Sequence, residues 1–378
     1  MRTDPDADAA VDAGRLRWAR EAAARRWPGA AVAKIDLLRG DASARRFWRI
    51  HLARGAKPAP ASAILVDLGP DDLPRYARVL GMISEPLAEP PWINLHRFLT
   101  ELGAPVPALY AFAPALRAML VEDAGEVALF DILRARGAGT ADLLRAAVEL
   151  LFVLHVEGAR RIDSRCLAAR INYDARLFRW ELKEFLELGC ARIAPGADPA
   201  ALAPELDALA RSLGEFPRVF SHRDYHGGNL YVQHRGGRPI LRVIDFQDAL
   251  MAPGAQDLAV LLTTRDAGSL IAPALEDKLI DFYYTGLVRR GAADLSAADF
   301  RLSYRLCVLQ HALKMIGRFI LFEREGKPGY TAFLPHLIAQ ARRILDGPEL
   351  RGYPRLAAAL RAAASPGGAS NVGQGRPR

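Results

Sequence analysis

Cysteine is scarce in this chain, and long apolar runs are absent. The 378 residues include 3 cysteines, Cys166, Cys190 and Cys307, which lie far apart and form no C-x-x-C pair. Their number and spacing predict neither a disulfide framework nor a structural zinc site, because both require paired or clustered cysteines. No stretch approaches the roughly 18 apolar residues that a membrane-spanning helix needs. We therefore expect reduced, buried thiols and no membrane partner.

The first residues lack the apolar segment of a secretory signal peptide. Residues 1–13 are small, polar and acidic, so we expect a cytoplasmic location. Residues 364–378 are rich in Gly, Pro and Ser. Because such compositions are typical of disordered chain ends, we predict a disordered tail over each of these two ranges.

Acidic residues are outnumbered by basic ones, and this difference constrains the partners. Lys and Arg number 51 against 43 Asp and Glu, which gives a formal net charge of +8. The arginines are dispersed among alanines, as in residues 15–26, rather than clustered into one patch. Dispersed arginines are typical of solvated helix faces, so we predict no nucleic-acid partner, since that binding needs clustered cations. The excess positive charge suits an anionic ligand better than a polycationic one.

The distribution of apolar residues predicts two lobes with different secondary structure. The hydrophobic fraction of 51% permits a large core, and the length exceeds that of one typical core. The first third alternates strand-like and helix-like stretches, whereas the remainder has the three- and four-residue spacing of core-facing helices. We predict an α+β fold, with an antiparallel N-terminal sheet lobe over residues 14–124 and a larger, mainly helical lobe over residues 125–363. The strand-like segment 119–125, which runs into polar turn residues, marks the boundary.

The most informative segment is H-R-D-Y-H-G-G-N at residues 222–229, followed by I-D-F at residues 244–246. A Gly-Gly pair at residues 236–237 separates two β-prone runs, which is a hairpin signal. The hairpin would place Asn229 before one strand and Asp245 after the other, so that both side chains lie at one end of the strand pair.

This pattern predicts phosphoryl transfer from ATP, with a role for each of three side chains. Asp224 is the predicted catalytic base, which accepts a hydrogen bond from the acceptor hydroxyl and orients it towards the γ-phosphate. Asn229 and Asp245 are the predicted ligands of Mg²⁺, a hard cation that prefers oxygen donors. Each residue alone would be an ordinary turn or capping residue. The prediction therefore rests on their combination.

The segment resembles the aminoglycoside phosphotransferase and choline kinase superfamily, and D-L-A at residues 257–259 matches a helix start of that superfamily. The resemblance implies a two-lobed protein-kinase-like fold in which His222 and Asp257 support the catalytic loop. Four further stretches carry a closer similarity: Gly40–Phe47, Leu120–Asp123, Val243–Ala249, and Leu313–Phe319 together with Gly326–Pro328. In these stretches the chain resembles the bacterial kinases that phosphorylate N-acetylmuramate and N-acetylglucosamine at the anomeric hydroxyl during cell-wall recycling.

The predicted nucleotide site departs from the kinase pattern, in which a strand of the N-terminal lobe carries a lysine for the α- and β-phosphates. Here the strand-like run at residues 64–66 is followed by Asp67 and contains no lysine. We hypothesise that Arg45 or Arg46 supplies the missing positive charge, since a guanidinium can bind phosphate through two donors. Gly40 and Ser43 belong to a polar turn that can present backbone N–H groups to phosphate oxygens. By resemblance, Glu122 ends the hinge strand whose backbone binds adenine.

The resemblance also implies which residues surround the acceptor, a small sugar. It offers Gln247, Asp248, Lys314 and Arg318 as substrate-binding residues near the metal site, with a helix-surface or core-bracing role as the alternative for each. A cation among them would suit the lactyl carboxylate of N-acetylmuramate. Two other functions stay open. One is an aminoglycoside or other small-alcohol kinase, which the positive net charge disfavours; the other is a catalytically inert nucleotide-binding relative, which the missing lysine keeps open.

Overall fold

The computed structural model describes most of the chain, which divides into two compact units. The first unit comprises Met1–Asp72 and Val106–Gly125, and the second comprises Leu73–Pro105 and Glu126–Pro377. The described residues are 5–38, 45–53, 59–69, 73–83, 87–137, 139–236 and 238–362, without the side chains of residues 5–11, 235 and 238. The predicted lobe boundary near residue 124 stays a prediction, and the predicted tail at residues 364–378 lies outside the described residues.

The first unit contains a five-stranded antiparallel sheet and one long helix. Its elements are α1 (Pro5–Arg26), β1 (Val32–Leu38), β2 (Arg46–Leu52), β3 (Ser62–Asp67), β4 (Leu109–Ala113) and β5 (Ala118–Glu122), with a 3₁₀ turn at Pro114–Leu116. The strand order is β1-β2-β3-β5-β4, and all neighbouring strands are antiparallel. The helix α1 begins inside the range 1–13, for which composition predicts a tail, in a segment whose alanines favour helix.

One face of the sheet and α1 form the core of the first unit. Alternate residues of β2, Trp48, Ile50 and Leu52, are buried, as the two-residue period of a strand requires. They belong to one apolar cluster with Ala19 and Ala23 of α1. The small alanine side chains allow the helix to lie against the bulky side chains of the sheet. The prediction of an antiparallel N-terminal sheet is confirmed.

The second unit is mainly helical, as predicted, and contains two short pairs of antiparallel strands. Its first helices are α2 (Arg75–Val79), α3 (Pro91–Glu101), α4 (Leu129–Arg134), α5 (Thr140–Leu151), α6 (Gly158–Arg161), α7 (Ala175–Glu184), α8 (Cys190–Ile193) and α9 (Pro199–Glu215). Its later helices are α10 (Gln256–Thr263), α11 (Ala267–Leu270), α12 (Pro273–Arg289), α13 (Ala297–Arg324), α14 (Leu334–Leu345) and α15 (Pro354–Ala362). Its strands are β6 (Arg218–Ser221), β7 (Leu230–Arg235), β8 (Arg238–Val243) and β9 (Leu250–Pro253). Short turns complete it: π-helical at Phe152–Glu157 and Phe185–Gly189, and 3₁₀ at Leu167–Arg170, Tyr330–Phe333 and Pro348–Leu350.

The strands β7 and β8 form the hairpin that the Gly-Gly pair predicts. Leu230 at the start of β7 pairs with Val243 at the end of β8. Asn229 therefore precedes the hairpin and Asp245 follows it at the same end, as predicted. The strands β6 and β9 form the second antiparallel pair, and the H-R-D segment connects β6 to β7.

The 28-residue helix α13 contributes many residues to the core of the second unit and packs against α7, α10 and α14. Gly317 permits a close approach between α13 and the π-helical turn that follows α7. A Cβ atom at this position would overlap the backbone nitrogen of Phe185 and would lie 2.5 Å from the carbonyl carbon of Glu184. The close packing brings the charged residues of α13 next to those of α7.

The structure also bears on the cysteines and on the length of the apolar helices. All three cysteines are free and buried, as expected, and burial raises the pKa of the Cys166 thiol to about 11. Among the described helices, none is both long enough and apolar enough to cross a membrane.

Candidate active site

The segment 222–229, here called the catalytic loop, has an unusual backbone. Arg223 has a φ of 74°, and Asp245, just beyond the hairpin, has a φ of 63°. Left-handed backbone is uncommon for residues other than glycine and costs about 1–3 kcal/mol per residue. Such strain persists only where surrounding contacts fix the backbone, and it concentrates at functional sites. The contacts that hold this loop are therefore informative.

Asp257, the second residue of α10, holds the first part of the catalytic loop. Its carboxylate accepts hydrogen bonds from the backbone N–H groups of His222 at 2.7 Å and Arg223 at 2.8 Å. It also accepts from the Ser221 hydroxyl at 2.9 Å and is 3.0 Å from Nε2 of the buried His155. Burial raises the pKa of Asp257, but the hydrogen bond with His155, together with the N–H groups that the carboxylate accepts, outweighs burial and holds the pKa below its usual value. An ionised carboxylate thus anchors two successive loop amides.

Asn229 ties the catalytic loop to the end of the hairpin. Its Nδ2 donates to the backbone oxygen of Asp224 at 2.9 Å, and its own backbone oxygen accepts from the N–H of Ile244 at 3.0 Å. The Nε2 atom of His222 also bonds the backbone oxygen of Ile244, at 2.9 Å. Hydrogen bonds thus connect Asn229 to the backbone of Asp224 and to that of Ile244, the residue before Asp245. The backbone segments that carry the three residues with predicted chemical roles therefore lie close together. The Asn229 amide oxygen is the atom that can ligate a metal.

Asp224 is half-buried and lies in a positive environment. Burial raises the pKa of this carboxyl, but Arg223 and Lys314 outweigh burial, and the pKa lies well below its ordinary value. Asp224 is therefore ionised at neutral pH. It can accept a hydrogen bond from an alcohol, as the predicted role requires.

The Gly-Gly pair of the catalytic loop is explained by its neighbours. The ring of His226 stacks on Phe130, with centroids 5.4 Å apart. A Cβ atom at Gly227 would lie 2.7 Å from the Phe130 ring, and one at Gly228 would lie 2.9 Å from the His226 ring. Nδ1 of His226 accepts from the Gly228 N–H at 3.0 Å. Burial and the charge of Arg265 lower the pKa of His226 to about 3, so the ring is neutral with its proton on Nε2.

Glu181 of α7 forms a buried cluster that the sequence analysis missed. Its Oε1 accepts from Nη2 of Arg223 at 2.8 Å and is 3.0 Å from Nζ of Lys314. Its Oε2 accepts from Nε2 of Gln310 at 3.1 Å and from the hydroxyl of Tyr173. Burial alone would raise the pKa of Glu181, but Lys314 and Arg223 lower it to about 2. We call these five residues the Glu181 cluster.

One sequence signal could have found Glu181. It lies within the apolar stripe of α7, three or four positions from buried residues on both sides: Leu177, Phe178 and Phe185. A lone carboxylate in such a stripe is expensive to bury without a partner. The partners come from distant parts of the sequence, however, and the pattern does not reveal which cations they are.

The structure brings two of the predicted acceptor residues next to the loop. Nε2 of Gln247 donates to Oδ1 of Asp245 at 2.9 Å. Oδ2 of Asp248 is 3.8 Å from Nη1 of Arg223, whose guanidinium lies 4.3 Å from the ring centroid of the buried Tyr76. Gln247 and Asp248 therefore contact the predicted metal ligand and the loop, respectively.

The other two predicted acceptor residues are ion-paired with α7. Lys314 pairs with Glu181, and Nε of Arg318 lies 3.0 Å from Oε2 of Glu184. The side chain of Lys314 is 9% exposed, whereas that of Arg318 is 26% exposed. Both ion pairs connect α13 to α7, close in sequence to Gly317, where the two segments approach each other. The assignment of these two cations to the acceptor stays a prediction.

Arg46, a predicted phosphate ligand, lies on the face of the first unit's sheet that α1 covers. Its guanidinium contacts Asp12 of α1 at 2.7 Å and Asp67 of β3 at 3.4 Å. The two-residue period of β2 places Arg46 on the same face as Trp48 and Ile50. Both carboxylates thus pair with the guanidinium that is predicted to bind ATP. The role of Arg46 in binding phosphate stays a prediction.

Of the remaining predicted nucleotide residues, Gly40 and Ser43 lie outside the described residues, and Arg45 and Glu122 belong to the first unit. Arg45 immediately precedes β2 and is half-buried. Glu122 ends β5, and its carboxylate accepts from the Ala108 N–H at 3.0 Å.

Comparison with known proteins identifies the class that this fold and loop define. Residues 34–291 match the phosphotransferase enzyme family, and the chain belongs to that family. It is 30% identical over 328 residues to an N-acetylmuramate/N-acetylglucosamine kinase of Caulobacter vibrioides, covering 80% of this chain and 85% of the relative. It is also 30% identical over 282 residues to a kinase of the same name from Pseudomonas aeruginosa, covering 71% of this chain and 78% of the relative.

A solved structure supports the fold. The chain aligns with a microcompartment-associated aminopropanol kinase at a TM-score of 0.58 and 16% identity, covering 89% of this chain and 99% of that one. The predicted kinase-like fold and the resemblance to the family are confirmed. The protein is an ATP-dependent phosphotransferase that acts on an alcohol or sugar hydroxyl, and the alternative of a catalytically inert relative is not supported.

Proposed function

We propose that this protein transfers the γ-phosphoryl group of ATP to the anomeric hydroxyl of N-acetylmuramate or N-acetylglucosamine, in the recycling of cell-wall sugars. The observation that carries the proposal is the similarity, over 80% of this chain, to a protein named N-acetylmuramate/N-acetylglucosamine kinase. The connected geometry of Asp224, Asn229 and Asp245 supports the chemistry. We assign the reaction to the cytoplasm, where ATP is available.

In the proposed reaction Asp224 accepts a hydrogen bond from the sugar hydroxyl and aligns its oxygen with the γ-phosphorus. The new O–P bond forms as the bond between the γ-phosphorus and the bridging oxygen breaks, and ADP leaves. The hydroxyl proton passes to Asp224 and then to solvent. Because the pKa of Asp224 is low, it is a weak base. Its main contribution is therefore orientation, which suits a loose phosphoryl-transfer transition state.

Asn229 and Asp245 would hold Mg²⁺ in this reaction. An amide oxygen and a carboxylate are hard donors of the kind that Mg²⁺ prefers, and phosphate oxygens and water complete its coordination in such sites. The described part of the chain contains no group of three or more His, Cys, Asp or Glu arranged to hold a metal by itself. When bound, Mg²⁺ would neutralise charge on the phosphates.

The test is release of ADP with Mg²⁺ across a panel of acceptors. The panel contains N-acetylmuramate, N-acetylglucosamine, plain hexoses, choline and aminoglycosides, with Asp224→Ala as the control. We expect turnover on the N-acetylated sugars that the substitution lowers by about 10²–10⁴-fold, the usual contribution of a positioned acid–base residue. Turnover on choline or aminoglycosides alone would refute the proposed acceptor while preserving the reaction class.

A further inference from the structure

We infer that Glu181 is a positioning residue for phosphoryl transfer, which acts through the two cations that it binds rather than on the substrates directly. It would hold Arg223 and Lys314 in place beside the catalytic carboxylate. The inference rests on the proposed role of Asp224 as the residue that orients the acceptor. It does not depend on which alcohol the acceptor is.

The contacts of the Glu181 cluster fix the orientation of its carboxylate. The carboxylate is 1% exposed, and each of its two oxygens contacts two donors. Oε1 serves the two cations, Arg223 and Lys314, while Oε2 is held by Tyr173 and Gln310. A carboxylate with all its acceptor positions in use has one orientation, so it can fix the cations that bind it.

Glu181 also stabilises the strained backbone next to Asp224. Arg223 directly precedes Asp224 and has a left-handed φ of 74°. Asp257 holds its N–H at 2.8 Å, and Glu181 holds its guanidinium at 2.8 Å. Without the Glu181 anchor the guanidinium keeps only the Tyr76 ring at 4.3 Å and Asp248 at 3.8 Å, and the strained backbone can relax more easily. Relaxation at Arg223 would redirect Asp224.

Glu181 also fixes the ammonium group of Lys314 beside the loop. Its Oε1 atom contacts Nζ of Lys314 at 3.0 Å and Nη2 of Arg223 at 2.8 Å, so one carboxylate oxygen holds both cations next to the residue that precedes Asp224. If Glu181 loses its charge, the ammonium group loses this partner and can pair with another carboxylate, such as that of Asp224. Such a pair would occupy the oxygens that the acceptor hydroxyl needs.

The test compares Glu181→Gln with a matched control, Glu276→Gln. Glu276 of α12 is also buried and accepts from a tyrosine hydroxyl and an arginine, Tyr304 at 2.8 Å and Arg343 at 2.8 Å. It makes no contact with the catalytic loop among its hydrogen bonds and ion pairs in the described residues. Both variants should melt at a lower temperature than the unchanged protein. Only Glu181→Gln should lower kcat, by about 100-fold, the effect expected of a small misplacement of a catalytic group, with the KM for ATP unchanged.

Further variants and a second readout keep the inference refutable. Glu181→Asp retains the charge and should recover part of the lost kcat, and it replaces the Gln variant if that one does not fold. Hydrogen exchange of residues 222–229, measured on the intact protein, should become faster in the Glu181 variants and stay unchanged in Glu276→Gln. An undiminished kcat in Glu181→Gln, or an equal loss in Glu276→Gln, would overturn the inference.

The outcomes also separate this inference from the proposed function. If another alcohol proves to be the acceptor, the proposed substrate is wrong, and the ratio of kcat values is measured with that alcohol. If the unchanged protein phosphorylates nothing in the panel, hydrogen exchange in the catalytic loop decides alone. Unchanged exchange in Glu181→Gln would then refute the positioning role.

Discussion

Replacing Asp257 by Asn should uncouple the catalytic loop from α10, with a large effect on stability and turnover. Four donors converge on this fully buried carboxylate: the Ser221 hydroxyl, the N–H groups of His222 and Arg223, and Nε2 of His155. An asparagine keeps one oxygen and turns an NH₂ group towards the donors on the other side. In one orientation of the amide the backbone N–H of His222 loses its acceptor; in the other, the N–H of Arg223 keeps only the Ser221 hydroxyl oxygen, at 3.1 Å.

The magnitude follows from these contacts. A buried donor without a partner costs about 1–3 kcal/mol, and loss of a buried charge partner costs about 3–5 kcal/mol. A loss of about 3 kcal/mol would lower the melting temperature by about 6–12 °C, taking about 2–4 °C per kcal/mol. Because the loop would also shift, kcat should fall by about 100-fold. The measurements are thermal unfolding and steady-state turnover with the acceptor found by the panel.

Asp266→Asn provides the control. Asp266 pairs with Arg134 at 2.8 Å, but the pair is partly exposed, and such pairs contribute at most about 1 kcal/mol. If Asp257→Asn retained both the melting temperature and kcat, the bracing argument would be wrong. A lower melting temperature with unchanged kcat would mean that Asp257 supports the unit without directing the loop.

Three further predictions concern packing, pH and metal. Gly317→Ala should destabilise the protein by about 1–3 kcal/mol in chemical denaturation, because the added methyl group overlaps the backbone of Phe185; Gly352→Ala, with open space around it, should be close to neutral. Glu181 should contribute to acid stability: its pKa is lowered to about 2 in the folded state, against about 4.3 when unfolded. Its contribution is thus complete above the unfolded value and is lost as the pH falls towards 2, so Glu181→Gln should flatten the acid unfolding curve between those values. Chelation by EDTA should abolish ADP release and added Mg²⁺ should restore it, since Asn229 and Asp245 supply the metal's protein donors in the proposed site.

The local parts of the site could be predicted from the sequence because their signals are local. The Gly-Gly pair at residues 236–237 predicts a hairpin. A hairpin fixes the positions of the two residues that flank it, Asn229 and Asp245. The spacing of the loop likewise selects Asp224 as the predicted catalytic residue. The D-L-A segment pointed to Asp257 through the resemblance alone, since its partners lie at least 34 residues away.

The parts that escaped prediction depend on contacts between distant segments. Glu181 and Lys314 are 133 positions apart in the numbering, and no periodicity pairs one with the other. Arg46 illustrates a different limit. Its face was predictable from the period of β2, but the presence of Asp12 on the helix above it was not. A positive charge in the sequence is a candidate ligand only until its internal partners are known.

Arg223 explains how the strained loop is maintained. A left-handed backbone at a residue with a long side chain needs more than one anchor, because rotation about a single contact would release the strain. Asp257 holds its N–H, Glu181 holds its guanidinium, and Tyr76 covers the face of that guanidinium. Two buried carboxylates from helices far apart in sequence thus fix the residue that aims Asp224. Removing either one should cost more turnover than a loss of hydrogen-bond energy alone would suggest, because Asp224 is misdirected as well as less firmly held.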